Sequence, residues 1–159
     1  MKSRYLFSHK FKPFGWILFS VGIVLGIILL VNDFKFPNWK MNVFSLIGSD
    51  DTFSSTKSFT WELNNVSDEI ASILIIVGGI LVSFSKTKEE DEYISKIRME
   101  SLIWATYVNY IVLLFAIIFV FDISFFNVMI FNMFTILFFF IIRFHFMLYK
   151  TKRLISNEE

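Results

Sequence analysis

SLIWATYVNYIVLLFAIIFVF (residues 101–121) and FNVMIFNMFTILFFFIIRFHFM (residues 126–147) lie four residues apart, and their reading decides the fold. A bilayer's hydrocarbon core is about 30 Å thick, and a helix needs roughly 20 mainly apolar residues to cross it. Both stretches reach that length, and so short a connection admits only an antiparallel helical hairpin. A chain of 159 residues that is 55% hydrophobic, with 22 Phe, cannot present so much apolar surface to water. Two further stretches complete the set: 14–31, and 69–85, which is short and has to stand nearly upright. The expected architecture is an all-α membrane protein of four transmembrane helices, one integral membrane domain over residues 1–159.

The polar residues of this hairpin are grouped. Thr106, Asn109 and Tyr110 fall on one face of the third span, because offsets of three and four return to the same side of a helix. Asn132, Thr135 and Arg143 share a face of the fourth. These six residues form the candidate intramembrane polar cluster. Arg143 is the one unambiguous charge inside an expected span, and such a charge is a functional-site candidate by default. Its place near the end of the span also lets it reach the headgroups, or bond Asn109, Tyr107 or Glu100. Asn109 and Asn132 suit interhelical hydrogen bonding as well as ligand binding.

On the N-terminal side of the hairpin lies KEEDEYISKIRMESLIW (88–104), the densest charge in the chain. Thr87-x-x-Glu90 has the form of a capping box, and acidic residues suit the first turn of a helix. No Gly or Pro interrupts residues 88–121, so the expected helix runs for 34 residues. That is about 50 Å, enough to carry its first turns out of the membrane into the cytoplasm. Ile94, Ile97, Trp104, Val108 and Ile111 recur at alternating three and four, with Ser101 in the missing position. This seam either packs on the protein's own helices or docks a cytoplasmic partner or a second copy, which makes Ile94 and Ile97 candidate docking residues. Glu89, Glu90, Asp91 and Glu92 would point in several directions on a helix, which suits a solvated terminus better than a metal or acid–base site.

The loop 32–68 changes period. In KSFTWEL (57–63), Phe59, Trp61 and Leu63 alternate with Ser58, Thr60 and Glu62, the repeat of a half-buried strand. KMNVFSLI (40–47) is its expected partner, with a turn signal in Gly48-Ser49-Asp50-Asp51. A lone β-hairpin is marginal in water, so this one has to lean on helix ends or on lipid. Gly22-x-x-x-Gly26 and Gly79-x-x-x-Ser83 are small-residue patterns that let helices approach closely, either the first two spans or two copies of the chain. The basic start of the first span resembles a signal peptide, but its apolar run is long and NDFKFPNW after it offers no small-residue cleavage site, so an uncleaved anchor is expected.

Twelve of the fifteen Lys and Arg residues fall in the N-terminal arm, the 86–100 segment and the C-terminal end; three fall in 32–68. The expected orientation is N-in and C-in, with the hairpin extracytoplasmic. Because the basic residues border membrane spans, the net charge of +1 does not suggest direct nucleic-acid binding. The absence of cysteine removes disulfides, thiolate metal sites and cysteine nucleophiles. His9 and His145 are isolated, and H-E-x-x-H, G-x-S-x-G and Walker A patterns are missing, so no catalytic residue, metal site or cofactor is expected.

EDEYISKIRMESL (90–102), YVNYI (107–111) and FFNVMIFNMFTILFFFIIRFHFMLYK (125–150) carry a resemblance to a family of small four-span bacterial inner-membrane proteins of unassigned function. The resemblance implies a location in the bacterial inner membrane. Members of that family are often encoded near helix-turn-helix regulators, so it also implies a cytoplasmic protein partner such as a transcriptional regulator. It brings no catalytic residues; where its members commonly have Asn after the Arg-Phe pair, this chain has His145. The expected function is a non-enzymatic membrane interaction or sensing protein that couples the membrane or periplasm to a cytoplasmic partner. The alternative is a small oligomeric transporter or channel lined by Arg143 and Asn109.

Overall fold

The computed structural model describes residues 6–32, 39–48, 57–88 and 90–158. Four helices and one hairpin follow in the order α1 (Phe11–Val31), β1 (Lys40–Gly48), β2 (Lys57–Asn65), α2 (Ser67–Phe84), α3 (Glu92–Phe119) and α4 (Ile123–Glu158). Each helix is long and apolar enough to cross a membrane, which makes this a multi-pass membrane protein. One end of the bundle carries Phe11, Ser85 and Glu92 and is called here the basal end. The opposite end carries the β-hairpin and the α3–α4 turn.

Glycine brings α1 and α2 together. A side chain at Gly22 would sit 2.8 Å from the Ile75 backbone nitrogen, and one at Gly78 would meet the Phe19 backbone nitrogen and lie 2.8 Å from its Cα. Gly15 faces Leu81 and Val82 in the same way. The contact therefore uses Gly15, Gly22 and Gly78; Ser83 is fully buried. Gly26 and Gly79 are a partial correction to the expected motifs. Gly26 has only the tip of Ile75 at 3.7 Å, and Gly79 meets side chains of Phe19 and Leu137 at 3.4 Å, not backbone. Helix rotation decides which glycines face the partner, and the four-residue spacing does not encode that rotation.

The helix α4 joins the two halves. Phe134 and Ile141 pack with Phe19, Ile75 and Val82, while Phe140 and Phe144 pack with Ile97 and Ala105 of α3. Stacked rings continue the second cluster, Phe84 on Phe140 at 5.6 Å and Phe140 on Phe144 at 5.8 Å.

Two expected boundaries are corrected. The third helix begins at Glu92, not Lys88, because Asp91 is extended (φ −110°, ψ 166°) and its carboxylate caps the Glu92 amide at 2.6 Å. Thr87 and Glu90 do bond as a capping box would, the Thr87 amide and hydroxyl donating to Glu90 Oε2 at 2.8 and 2.9 Å, but ahead of the helix. At 28 residues α3 is about 42 Å long. The overhanging helix is instead α4, whose 36 residues reach about 54 Å and include nearly all of the expected 148–159 tail. Charge at Lys150, Lys152 and Arg153 stops a membrane span but not a helix, since Lys and Arg are good helix formers.

The hairpin forms as expected, antiparallel with Lys40 opposite Asn65, Phe44 opposite Trp61 and Gly48 opposite Lys57. The remainder of the expected turn, Ser49-Asp50-Asp51, lies outside the described residues. One residue, Val66, separates β2 from α2. Asn65 Oδ1 accepts from the Ser67 amide at 3.2 Å and hydroxyl at 2.7 Å, and the Val66 amide donates to the Trp39 carbonyl at 3.1 Å.

Candidate functional site

The site that stands out is a buried ion pair at the basal end. Breaking the helix at Asp91 frees Glu90 to turn back, and its carboxylate meets Arg98, two turns into α3. Arg98 Nη1 lies 2.6 Å from Glu90 Oε1 and Nη2 lies 3.2 Å from Oε2, a two-pronged contact. The side chains are only 8% and 17% exposed. Arg98 Nη2 also donates to the Ser85 carbonyl at 3.4 Å, and the guanidinium lies 4.9 Å above the Phe144 ring. One side chain thus touches the 85–91 connection, the end of α2 and the inner face of α4. Burial alone would raise the Glu90 pKa, but the bonds from Arg98 and Thr87 outweigh it and hold the carboxyl below its ordinary value of 4.5.

The N-terminal arm closes over the same place. The Phe7 amide donates to the Phe84 carbonyl at 2.9 Å, and the Lys86 amide donates to the Phe7 carbonyl at 3.0 Å, a one-residue parallel bridge beside Ser85. Lys12 reaches within 6.0 Å of the Phe144 ring from the opposite side of the sequence. Among the described residues, Arg98 Nε and the hydroxyls of Ser83, Ser85 and Ser101 are buried without a hydrogen-bond partner.

Sequence reasoning missed Arg98, counting it only as one border charge. The signal was weak because Glu90 and Arg98 are eight apart; on an unbroken helix that places them more than two turns from each other, beyond pairing distance. Only the break at Asp91 makes the contact.

The expected intramembrane polar cluster is partly assembled. Asn132 donates to Asn109 Oδ1 at 3.4 Å across the α3–α4 interface. Thr106 and Thr135 bond inward to their own helices, to Leu102 and Phe131 carbonyls at 2.9 and 3.0 Å. Tyr110 is exposed and stands apart. Arg143 joins neither the asparagines nor Glu100: its guanidinium lies 4.7 Å over the Trp104 ring. His145 Nδ1 donates to the Ile141 carbonyl, 2.9 Å away, and the ring packs edge-on to Trp16.

The expected docking residues are corrected. Ile97 is 3% exposed inside the cluster with Ala105, Phe140 and Phe144, and Ile94 packs against the same cluster. The start of the seam packs toward α4, whereas Trp104 and Ile111 are 39% and 54% exposed, because the buried face of α3 continues instead through Ser101, Ala105 and Asn109. No model of a known family, no curated protein and no solved structure matches the chain.

Proposed function

We propose that this protein is a non-enzymatic multi-pass membrane module for interaction or sensing, coupling the membrane or its outer side to a cytoplasmic protein partner. The observation that carries the reading is a continuous mechanical route. The hairpin passes through Val66 into α2, and the end of α2 offers the Ser85 carbonyl to Arg98, which Glu90 and Phe144 hold in place. A helix of 18 residues, about 27 Å long, would carry a displacement of the hairpin to the first turns of α3. The Lys and Arg distribution supports both termini and the 85–91 connection being cytoplasmic.

With Ile97 buried and Ile94 half-buried, the residues of that region open to a partner are Tyr93, in the first turn of α3, and Met99, both exposed. A photo-crosslinking residue at Tyr93 or Met99 should give a specific adduct in cells, and deletion of Gly48 to Ser54 or R98A should change its yield. An adduct pattern indifferent to both changes overturns the relay. Solute or ion flux in reconstituted liposomes would favour the transporter alternative instead.

A further inference from the structure

The hairpin register brings five large apolar side chains to one face. Phe44 opposes Trp61, and their rings lie 5.4 Å apart. Phe59 adds a third ring 6.4 Å from Phe44, and the two-residue alternation of a strand puts Leu46 and Leu63 on the same side. These five are between 50% and 72% exposed, as open as the lipid-facing hydrophobic residues of the helices. The other face carries Met41, Val43, Ser45, Thr60 and Asn64, a smaller apolar share with one large exposed side chain, Met41. No helix packs broadly on either strand among the described residues.

The observations favour one occupant. The strand β2 ends two residues before a membrane-spanning helix begins, so the base of the hairpin is at a membrane border. Exposed apolar residues of the helices, Leu30 and Val31 at the end of α1 and Ile73 in α2, lead up to that base, so the hairpin face continues a surface that already faces lipid. Its chemistry also fits: Trp and Phe are favoured at the level of the headgroups, all three exposed rings of the hairpin lie on one side, and an element with one distinctly more apolar face lies in the interface plane. A second copy fits less well. Strands of nine residues are about 30 Å long, and two of them offer roughly 300 Å² of one face. A stable protein interface takes about 800 Å² from each partner.

We propose that the hairpin lies flat on the bilayer with Phe44, Leu46, Phe59, Trp61 and Leu63 inserted at the boundary between headgroups and acyl chains. The inference does not rest on the relay. If cross-linking at Tyr93 fails to respond to the hairpin, the depth measurement below is unaffected.

The chain has no cysteine, so single nitroxide labels can be placed without background. L46C and L63C would report the apolar face, and S45C and T60C the polar face, in the full chain reconstituted in nanodiscs. Phe44, Phe59 and Trp61 stay in place in all four. Expected is a higher collision rate with oxygen than with a water-soluble nickel chelate at Leu46 and Leu63, and the reverse at Ser45 and Thr60. Equal access of the nickel chelate to both faces overturns the proposal. So does spin–spin broadening at Leu46 or Leu63 that disappears on dilution with unlabelled protein, which would assign the face to a second copy. Unfolding of a labelled variant would show as equal, high mobility at all sites; a fluorinated Phe at position 44, read by the line broadening from a lipid-borne relaxation agent, then decides the same question without cysteine.

Discussion

Arg98 holds two carboxylate oxygens, one carbonyl and one ring, and its removal would undo all four contacts together. R98A leaves Glu90 buried without its counter-charge, and loss of one partner from a buried pair costs about 3 kcal/mol. Steric-trap or denaturant unfolding in bicelles should register that loss. R98K keeps the charge but not the two-pronged geometry, so it should recover only part of it. Glu90 has its own signature. A carboxyl with a lowered folded pKa adds stability that is fully present above its ordinary value of 4.5 and fades as pH falls through the lower folded value. Wild type should therefore lose stability on acidification below that range, and E90Q should show a smaller acid dependence from the same region; an unchanged profile in E90Q would assign the effect to other carboxylates. Arg143 was legible as an anomalous charge, but its place over Trp104 was not, because a ring on a neighbouring helix has no fixed sequence offset.

At the scale of elements, the α1–α2 contact is the most sensitive to volume. G78A would place a methyl against the Phe19 backbone, which cannot move without separating the helices. G26A has room and removes a flexible residue from a helix interior, a gain of up to about 1 kcal/mol. Thermal unfolding in detergent should rank G78A well below wild type and G26A at or above it. Matching losses in the two variants would mean that α1 is rotated from the orientation described. The α3–α4 hairpin has a softer polar tie. N109L should cost about 1 kcal/mol, the usual scale of an interhelical bond within a membrane, and N132L should add little once Asn109 is gone. The helical faces of both asparagines could be read from spacing; their partnership needed the crossing of the helices.

For the molecule as a whole, four crossings would put the basal segments on one side and the hairpin on the other. Single cysteines at Lys10, Lys88 and Lys150 should react with a membrane-impermeant maleimide from the same side, and one at Ser45 or Thr60 from the opposite side. Labelling of Lys10 and Lys150 from different sides would require an odd number of crossings. The same whole-molecule view explains why α4 rather than α3 is the long helix. Hydropathy marks where a helix leaves the bilayer, at about the same place in both. Whether it then continues depends on local bonds: the Asp91 cap and the Glu90–Arg98 pair stop α3, whereas α4 continues to Glu158.

Membrane class, the four spans, the tight α3–α4 hairpin and the paired strands were all determined by the sequence alone. They follow from local quantities, the length of an apolar run and its period of two or 3.6 residues. Tertiary structure alone decided which glycines touch, that Ile94 and Ile97 pack in the cluster with Phe140 and Phe144 of α4, and that Arg98 closes on Glu90. It also left one face of the hairpin uncovered. Each of these depends on how one helix or strand is rotated and stopped relative to another, and that is set by packing between segments distant in the chain, where residue spacing no longer measures distance.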